Sequence, residues 1–328
     1  MGLLDSIVLL GKKGKTNHMK MKLRVFNLFV VISLLIFFAC NRSESPDDTP
    51  TSGQITISVD ETFKPLIDSE IDTFEKIYTY ADVEVNYKPE AEVFNDLMQG
   101  NIRLIIVPRN LKKDELEEFN RWEIVPKITK IAYDAVALIG SNDLVDTTLT
   151  LTDLNGLLIG KNPPSFKNTK IIFDNSKSST IRFLMEKTGV TKLSDNCYAL
   201  DSNNAVIEYV SKEKNCIGVI GVNWISDKDD TSHLGFLKSF KVLEIESSTS
   251  REYYKPFQAY IAQKFYPLWR EVYIISKEAY TGLGTGLTAF IASERGQRIV
   301  LKFGLVPATM PIRLVELIEN EDLYIKQE

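Results

Sequence analysis

Residues 54–107 read QITISVDETFKPLIDSEIDTFEKIYTYADVEVNYKPEAEVFNDLMQGNIRLIIV. Ile55–Val59 alternates as a strand. Pro65–Tyr80 sets Leu66, Ile67, Ile71, Phe74, Ile77 and Tyr78 on one stripe, the period of an amphipathic helix. Val83–Tyr87 returns to alternation. Val93–Met98 reads as a short helix stopped at Gly100. Leu104–Val107 reads as a buried strand closed by Pro108. This strand–helix–strand–helix–strand order implies a mostly parallel sheet with helices on its faces, the α/β class.

Downstream, Lys113–Phe119 reads as a polar helix. Ile128–Ile139 reads as a longer strand, apolar except for Tyr133 and Asp134. The β/α pattern then restarts, with Leu157–Ile159 and Lys170–Phe173, helices over Thr180–Lys187 and Ala205–Val210, and the strand Cys216–Ile220. Val272–Ile275 reads as a strand. Gly286–Phe303 reads as a helix that stops at Gly304, before Pro307. Two β/α units and a C-terminal return suggest two lobes. The crossings fall near Ile131–Leu138 and Gln263–Tyr273. The expected division is 54–133 with 268–328 as lobe 1, and 134–267 as lobe 2.

Upstream, residues 19–40 read MKMKLRVFNLFVVISLLIFFAC. Lys20, Lys22 and Arg24 head a run of roughly 15 apolar residues, which ends in Ala39-Cys40. The next residues turn polar and acidic. This is the layout of a secretory signal peptide, and the cysteine at the cut point gives it the form of a bacterial lipoprotein signal, with lipid (palmitate) on Cys40. Phe37 stands where such signals prefer Leu. An uncleaved anchor helix is the other reading. Residues 1–39 are expected to be the signal, its first eighteen lying before the charged head. Met19 or Met21 is the expected start, and residues 40–53 are expected to be a linker.

Of the 328 residues, about 289 remain after such a cleavage, enough for more than one core. The leader carries six basic residues and Asp5. The remainder therefore stands near −10 against −5 for the whole chain. That balance argues against nucleic acid, which requires a basic footprint. There are two histidines, and His18 lies in the leader. With His233 alone beyond it, a Ser-His-Asp triad or a multi-histidine zinc site is not expected. No CxxC, HExxH, GxSxG or P-loop occurs. No enzyme activity, metal or cofactor is expected. Cys197 and Cys216 either pair or stand as separate buried thiols.

Three loops suit an anion at helix starts. Thr62 follows the first strand, with Pro65 near the next helix start. Arg109 follows Val107-Pro108, and its planar fork suits an oxyanion or a surface salt bridge. Ser178, Ser179 and Thr180 open a helix after Phe173-Asp174. Capped helices explain the first and third equally well.

Four stretches of these loops and the return strand carry a resemblance. Thr62-Phe63-Lys64-Pro65-Leu66 is similar to a T-F-x-P-L segment. Arg109–Glu115 resembles S-R-x-L-x-x-E-E. Lys177–Phe183 stands in the place of G-S-G-T-x-x-F. Tyr266–Tyr273 resembles Y-P-L-x-R-x-x-Y, followed by Phe290–Gln297 and Gly304-Leu305-Val306-Pro307. Together they resemble the phosphate-binding, PstS-like substrate-binding proteins of ABC transporters. The resemblance implies the two-lobed periplasmic-binding-protein fold (type II), with two crossing hinge strands. It also implies a lipid-anchored, monomeric receptor on the periplasmic side of a bacterial membrane, serving an ABC permease.

By the same resemblance, Thr62, Phe63 (through its backbone), Ser178, Ser179 and Thr180 bind the anion, with Arg109 nearby. Asp174 replaces a family Arg, and Lys177 and Ser179 replace both family glycines. A carboxylate there accepts a hydrogen bond only from a ligand that keeps a proton. The alternative reading is a lipoprotein that uses the scaffold for sensing, adhesion or partner binding.

Overall fold

The computed structural model describes residues 48–100, 102–226 and 239–311. The expected signal, Cys40 and His233 lie outside the described residues. The described fold begins before the end of the expected linker. Asp48 accepts hydrogen bonds from Arg103 Nη2 (2.6 Å) and Leu283 N (2.7 Å). Pro50 lies so close to Gly286 that a Cβ there would meet its carbonyl oxygen at 1.8 Å.

The expected β/α rhythm appears as β1 (Ser52–Asp60), α1 (Lys64–Ile77), β2 (Tyr80–Lys88), α2 (Glu90–Met98) and β3 (Leu104–Val107). β1 pairs in parallel with both β2 and β3. Leu66, Ile67, Ile71 and Phe74 of α1 are buried, as their spacing requires. α3 (Lys113–Arg121) follows. β4 (Lys127–Ser141) then runs through the whole sheet.

The second half of the sheet is built from β6 (Lys170–Phe173), α5 (Ser179–Thr188), β7 (Cys197–Ala199), α6 (Asn203–Lys212) and β8 (Cys216–Gly221). A small outlying sheet contains β5 (Thr148–Leu149), β10 (Glu244–Glu246) and β11 (Tyr253–Tyr254). β9 (Phe240–Val242) lies against the end of β4. After α7 (Gln258–Ala262), the return strand β12 (Trp269–Ser276) leads to α8 (Leu283–Ala292), α9 (Glu294–Lys302) and β13 (Val306–Pro307). The strand order is β2-β1-β3-β12-β4-β8-β6-β7. β4 joins the halves. Residues Lys127–Ala135 pair antiparallel with β12, and Val136–Gly140 pair antiparallel with β8. The result is the two-lobed mixed fold that the resemblance implied.

Two expectations are corrected, and one open alternative is decided. Leu157–Ile159 is not a strand. Leu157 and Leu158 end the helix α4 (Leu151–Leu158), which is fixed by a capping box between Thr150 and Asp153. The expected single helix Gly286–Phe303 is two, broken at Ser293, whose extended backbone (φ −74°, ψ 168°) ends α8 and starts α9. Cys197 and Cys216 do not pair, and both thiols are free. The ladder explains this. They lie on β7 and β8, on opposite sides of β6. Two strand spacings separate them by about 9.6 Å, beyond the roughly 7 Å that a disulfide spans.

Candidate functional site

The β1 end supplies the first part of the site. Asp60 caps the turn after it by accepting from Thr62 N (2.9 Å). That cap carries Thr62 and Phe63 into the interior, both fully buried. The opposite half of the sheet then grips Thr62 from behind. Asn223 Nδ2 and Trp224 Nε1 both donate to the Thr62 carbonyl, at 3.0 and 2.7 Å. Gly221, the last residue of β8, makes this approach possible. A Cβ there would come within 2.5 Å of Thr62 Cγ2.

The start of α5 supplies the second part. Ser178 is its N-cap and accepts from Ile181 N. The three hydroxyls do not act as one cluster. Ser178 and Thr180 bond each other (2.9 Å), and Thr180 Oγ1 donates to Asp174 Oδ1 (2.8 Å). Ser179 alone turns across to the β1 half of the sheet, where its Oγ meets Thr62 Oγ1 at 3.3 Å.

The hinge strand supplies the cation. Arg270 of β12 donates through Nη1 to Ser179 Oγ (2.9 Å) and through Nε to Asp134 Oδ2 (2.8 Å). Arg270 and Asp134 face each other directly in the β12–β4 ladder. Both are buried, and the guanidinium lies 5.4 Å from the Phe63 ring centre. Its second terminal nitrogen, also buried, has no hydrogen-bond partner. Four buried acceptors of neighbouring site residues are equally unsatisfied: Asp60 Oδ2, Asp134 Oδ1, Asn203 Oδ1 and Asn223 Oδ1. Each belongs to a residue already bonded to Thr62, Asp174 or Arg270.

Arg109, the cation expected from the sequence, is engaged elsewhere. Its guanidinium bonds Glu90 Oε1 (2.9 Å) and both oxygens of Glu115 (2.7 and 2.8 Å), and it stacks on Phe94. It is a salt bridge, as the alternative had it, but a largely buried one rather than one on the surface. Sequence reasoning missed Arg270. The signal was present in the alternation of β12, where Arg270, Val272 and Ile274 share the buried register. A charge in that register needs a buried partner, and Asp134 inside the apolar run of β4 is the match.

Around this cation the site is acidic. Burial raises the Asp174 carboxyl, which the Thr180 and Ser178 hydroxyls partly offset. Burial pushes Asp60 to about 6, against the pull of Arg270. Burial, then the charge of Asp174, pushes Glu61 to about 7. Asn203 bridges Glu61 and Asp174, donating to Glu61 Oε2 (2.7 Å) and Asp174 Oδ2 (3.5 Å). Among the described residues, no three His, Cys, Asp or Glu are grouped to hold a metal ion.

The family profile described as a PBP superfamily domain matches residues 44–295. The chain belongs to the PBP superfamily. Within that superfamily it is 24% identical over 298 residues to the phosphate-binding protein PstS of Borreliella burgdorferi. The match covers 86% of this chain and 98% of that one. One solved structure it resembles is provisionally described as a phosphate ABC transporter substrate-binding protein, with bound phosphate, from Clostridium perfringens. The TM-score is 0.66 at 22% identity, covering 78% of this chain and 99% of that one. Another is an ABC-type phosphate transport receptor from Vibrio cholerae, with a TM-score of 0.60 at 18% identity, covering 78% and 100% of the two chains. These relatives are named as binding proteins and transport receptors, not enzymes. Among the described residues of this PBP-superfamily chain, no helix is long and apolar enough to cross a membrane.

Proposed function

We propose that this PBP-superfamily protein is the solute receptor of an ABC transporter and captures phosphate. One observation carries the reading. A hydroxyl from each half of the sheet, Thr62 and Ser179, meets over the buried guanidinium of Arg270, which keeps an unpaired donor. An oxyanion between the halves replaces the long 3.3 Å hydroxyl contact with stronger, charge-assisted bonds. The buried, unpaired acceptors at Asp60 and Asn203 suit a ligand that still carries a proton. Phosphate does so at neutral pH, and sulfate does not. The names of the relatives point to the same anion.

In this reading the lobes divide as 54–133 with 268–328, and 134–267, and they hinge at β4 and β12. The protein works as a monomer on the periplasmic side, lipid-anchored through Cys40. Loss of lipid labelling in Cys40→Ala supports the anchor, and unchanged labelling refutes it. A thermal-shift screen of phosphate, sulfate and small organic anions tests the ligand. Phosphate alone is expected to raise the melting temperature. A shift with sulfate or an organic anion, and none with phosphate, would sink the assignment.

A further inference from the structure

Glu90 is almost fully buried at the first position of α2, yet it carries two arginines. Arg109 reaches it from its own half of the sheet, through Nε at 2.9 Å. Arg182 reaches it from α5 in the other half. Arg182 Nε lies 2.8 and 3.0 Å from the two carboxylate oxygens, and Nη2 lies 2.9 Å from Oε2. Arg182 sits one turn beyond Ser179 on the helix that opens with the site hydroxyls. The link therefore ties the start of α5 to the opposite half.

The bond is also built to be broken. A buried carboxylate stripped of its partner is costly. When Arg182 leaves, Glu90 keeps Arg109, and Arg109 keeps both oxygens of Glu115. Arg182 in turn keeps Glu186, four residues on along α5, at 2.6 Å from Nη1. Each side has a partner in both positions, so separation strands no charge. The link lines a groove of about 610 Å3 with Ala91, Lys177, Ile181 and Met185, which gives water a path to both ions as they part. Lys177 and Glu92 form a second, exposed contact across the same seam at 3.1 Å.

We propose that Glu90 and Arg182 form a reversible latch that holds the two halves together and sets the rate at which captured anion is released, with Arg109 and Glu186 as the partners that each ion keeps on opening. Glu90 and Arg182 are positioning residues, since their side chains bond each other, Arg109 and Glu186 rather than Thr62, Ser179 or Arg270. The proposal rests on the anion-capture reading, and its test separates the two.

Phosphate release is measured by stopped flow on the purified full chain, and the ligand-free radius of gyration by small-angle scattering. Arg182→Met is expected to speed release by about tenfold with little change in the association rate. It is also expected to enlarge the ligand-free radius of gyration and to leave the preference for phosphate over sulfate intact. Glu186→Gln leaves Arg182 paired with Glu90 when latched but without a carboxylate partner when open, so release is expected to slow. A purely structural role for Arg182 would not give opposite signs in these two variants. Unchanged release in Arg182→Met, or faster release in Glu186→Gln, overturns the latch. If wild type binds no phosphate, the capture reading falls, and the radius of gyration alone decides the latch. An Arg182→Met radius equal to that of wild type then overturns it.

Discussion

Arg270 carries more of this account than any other residue, and it does so from a strand interior. Its side chain is neutralised on one side by Asp134 and left with a free donor on the other. Arg270→Lys keeps the charge but loses the planar fork that serves Asp134 and Ser179 at once. It is expected to weaken phosphate binding by at least about 1–3 kcal/mol, the range for a hydrogen bond to a charged group. The hydroxyls are graded by where they point. Ser179→Ala removes the residue that touches both Thr62 and Arg270, so it is expected to cost more affinity than Ser178→Ala, whose hydroxyl serves its own helix. Equal losses in titration calorimetry would contradict the geometry. Glu70 presents a different case. It lies on the buried stripe of α1 with neither carboxyl oxygen bonded, and burial pushes its pKa to about 9. Glu70→Met is expected to stabilise the chain by about 1–3 kcal/mol. A lower melting temperature for that variant would refute this.

The turn after β1 sets a pH dependence at the level of an element. Asp60 and Glu61 both hold protons more tightly folded than unfolded, with pKa values of about 6 and about 7 against ordinary values of 3.8 and 4.5. Raised carboxyl values mean that their contribution to stability is full below about pH 4 and is lost as pH rises through 6 to 7. Melting temperature is therefore expected to fall across that window, and Glu61→Gln to flatten the upper part of the fall. A flat profile in wild type contradicts the burial argument. Element reading from the sequence succeeded where period and caps agreed, as in β1, α1 and β3. It failed at α4, where a run of leucines gave no period and the Thr150–Asp153 capping box decided the matter. It also failed at Ser293, where one residue ends α8 and starts α9 without a glycine or proline to announce it.

At the scale of the whole molecule, alternation of strands and helices was enough to foresee two β/α halves and a returning strand. It could not register β12 against β4. The facing of Arg270 and Asp134 joins residues far apart in sequence, and no local pattern encodes it. Arg109 is a local case instead. Both carboxylates that occupy it lie in its own half of the sheet, and Glu115 stands six residues on within the same motif, so the pairing was within reach of the sequence. The proposed capture needs both halves together, because Thr62 and Ser179 come from opposite sides of β4. Isothermal titration of phosphate into the purified protein, wild type beside Arg270→Gln, tests this most directly. Saturable one-to-one binding in wild type, weakened by at least about a hundredfold in Arg270→Gln, is the predicted result. Wild-type heat with phosphate that persists undiminished in Arg270→Gln, or no binding by wild type at millimolar phosphate, would contradict it.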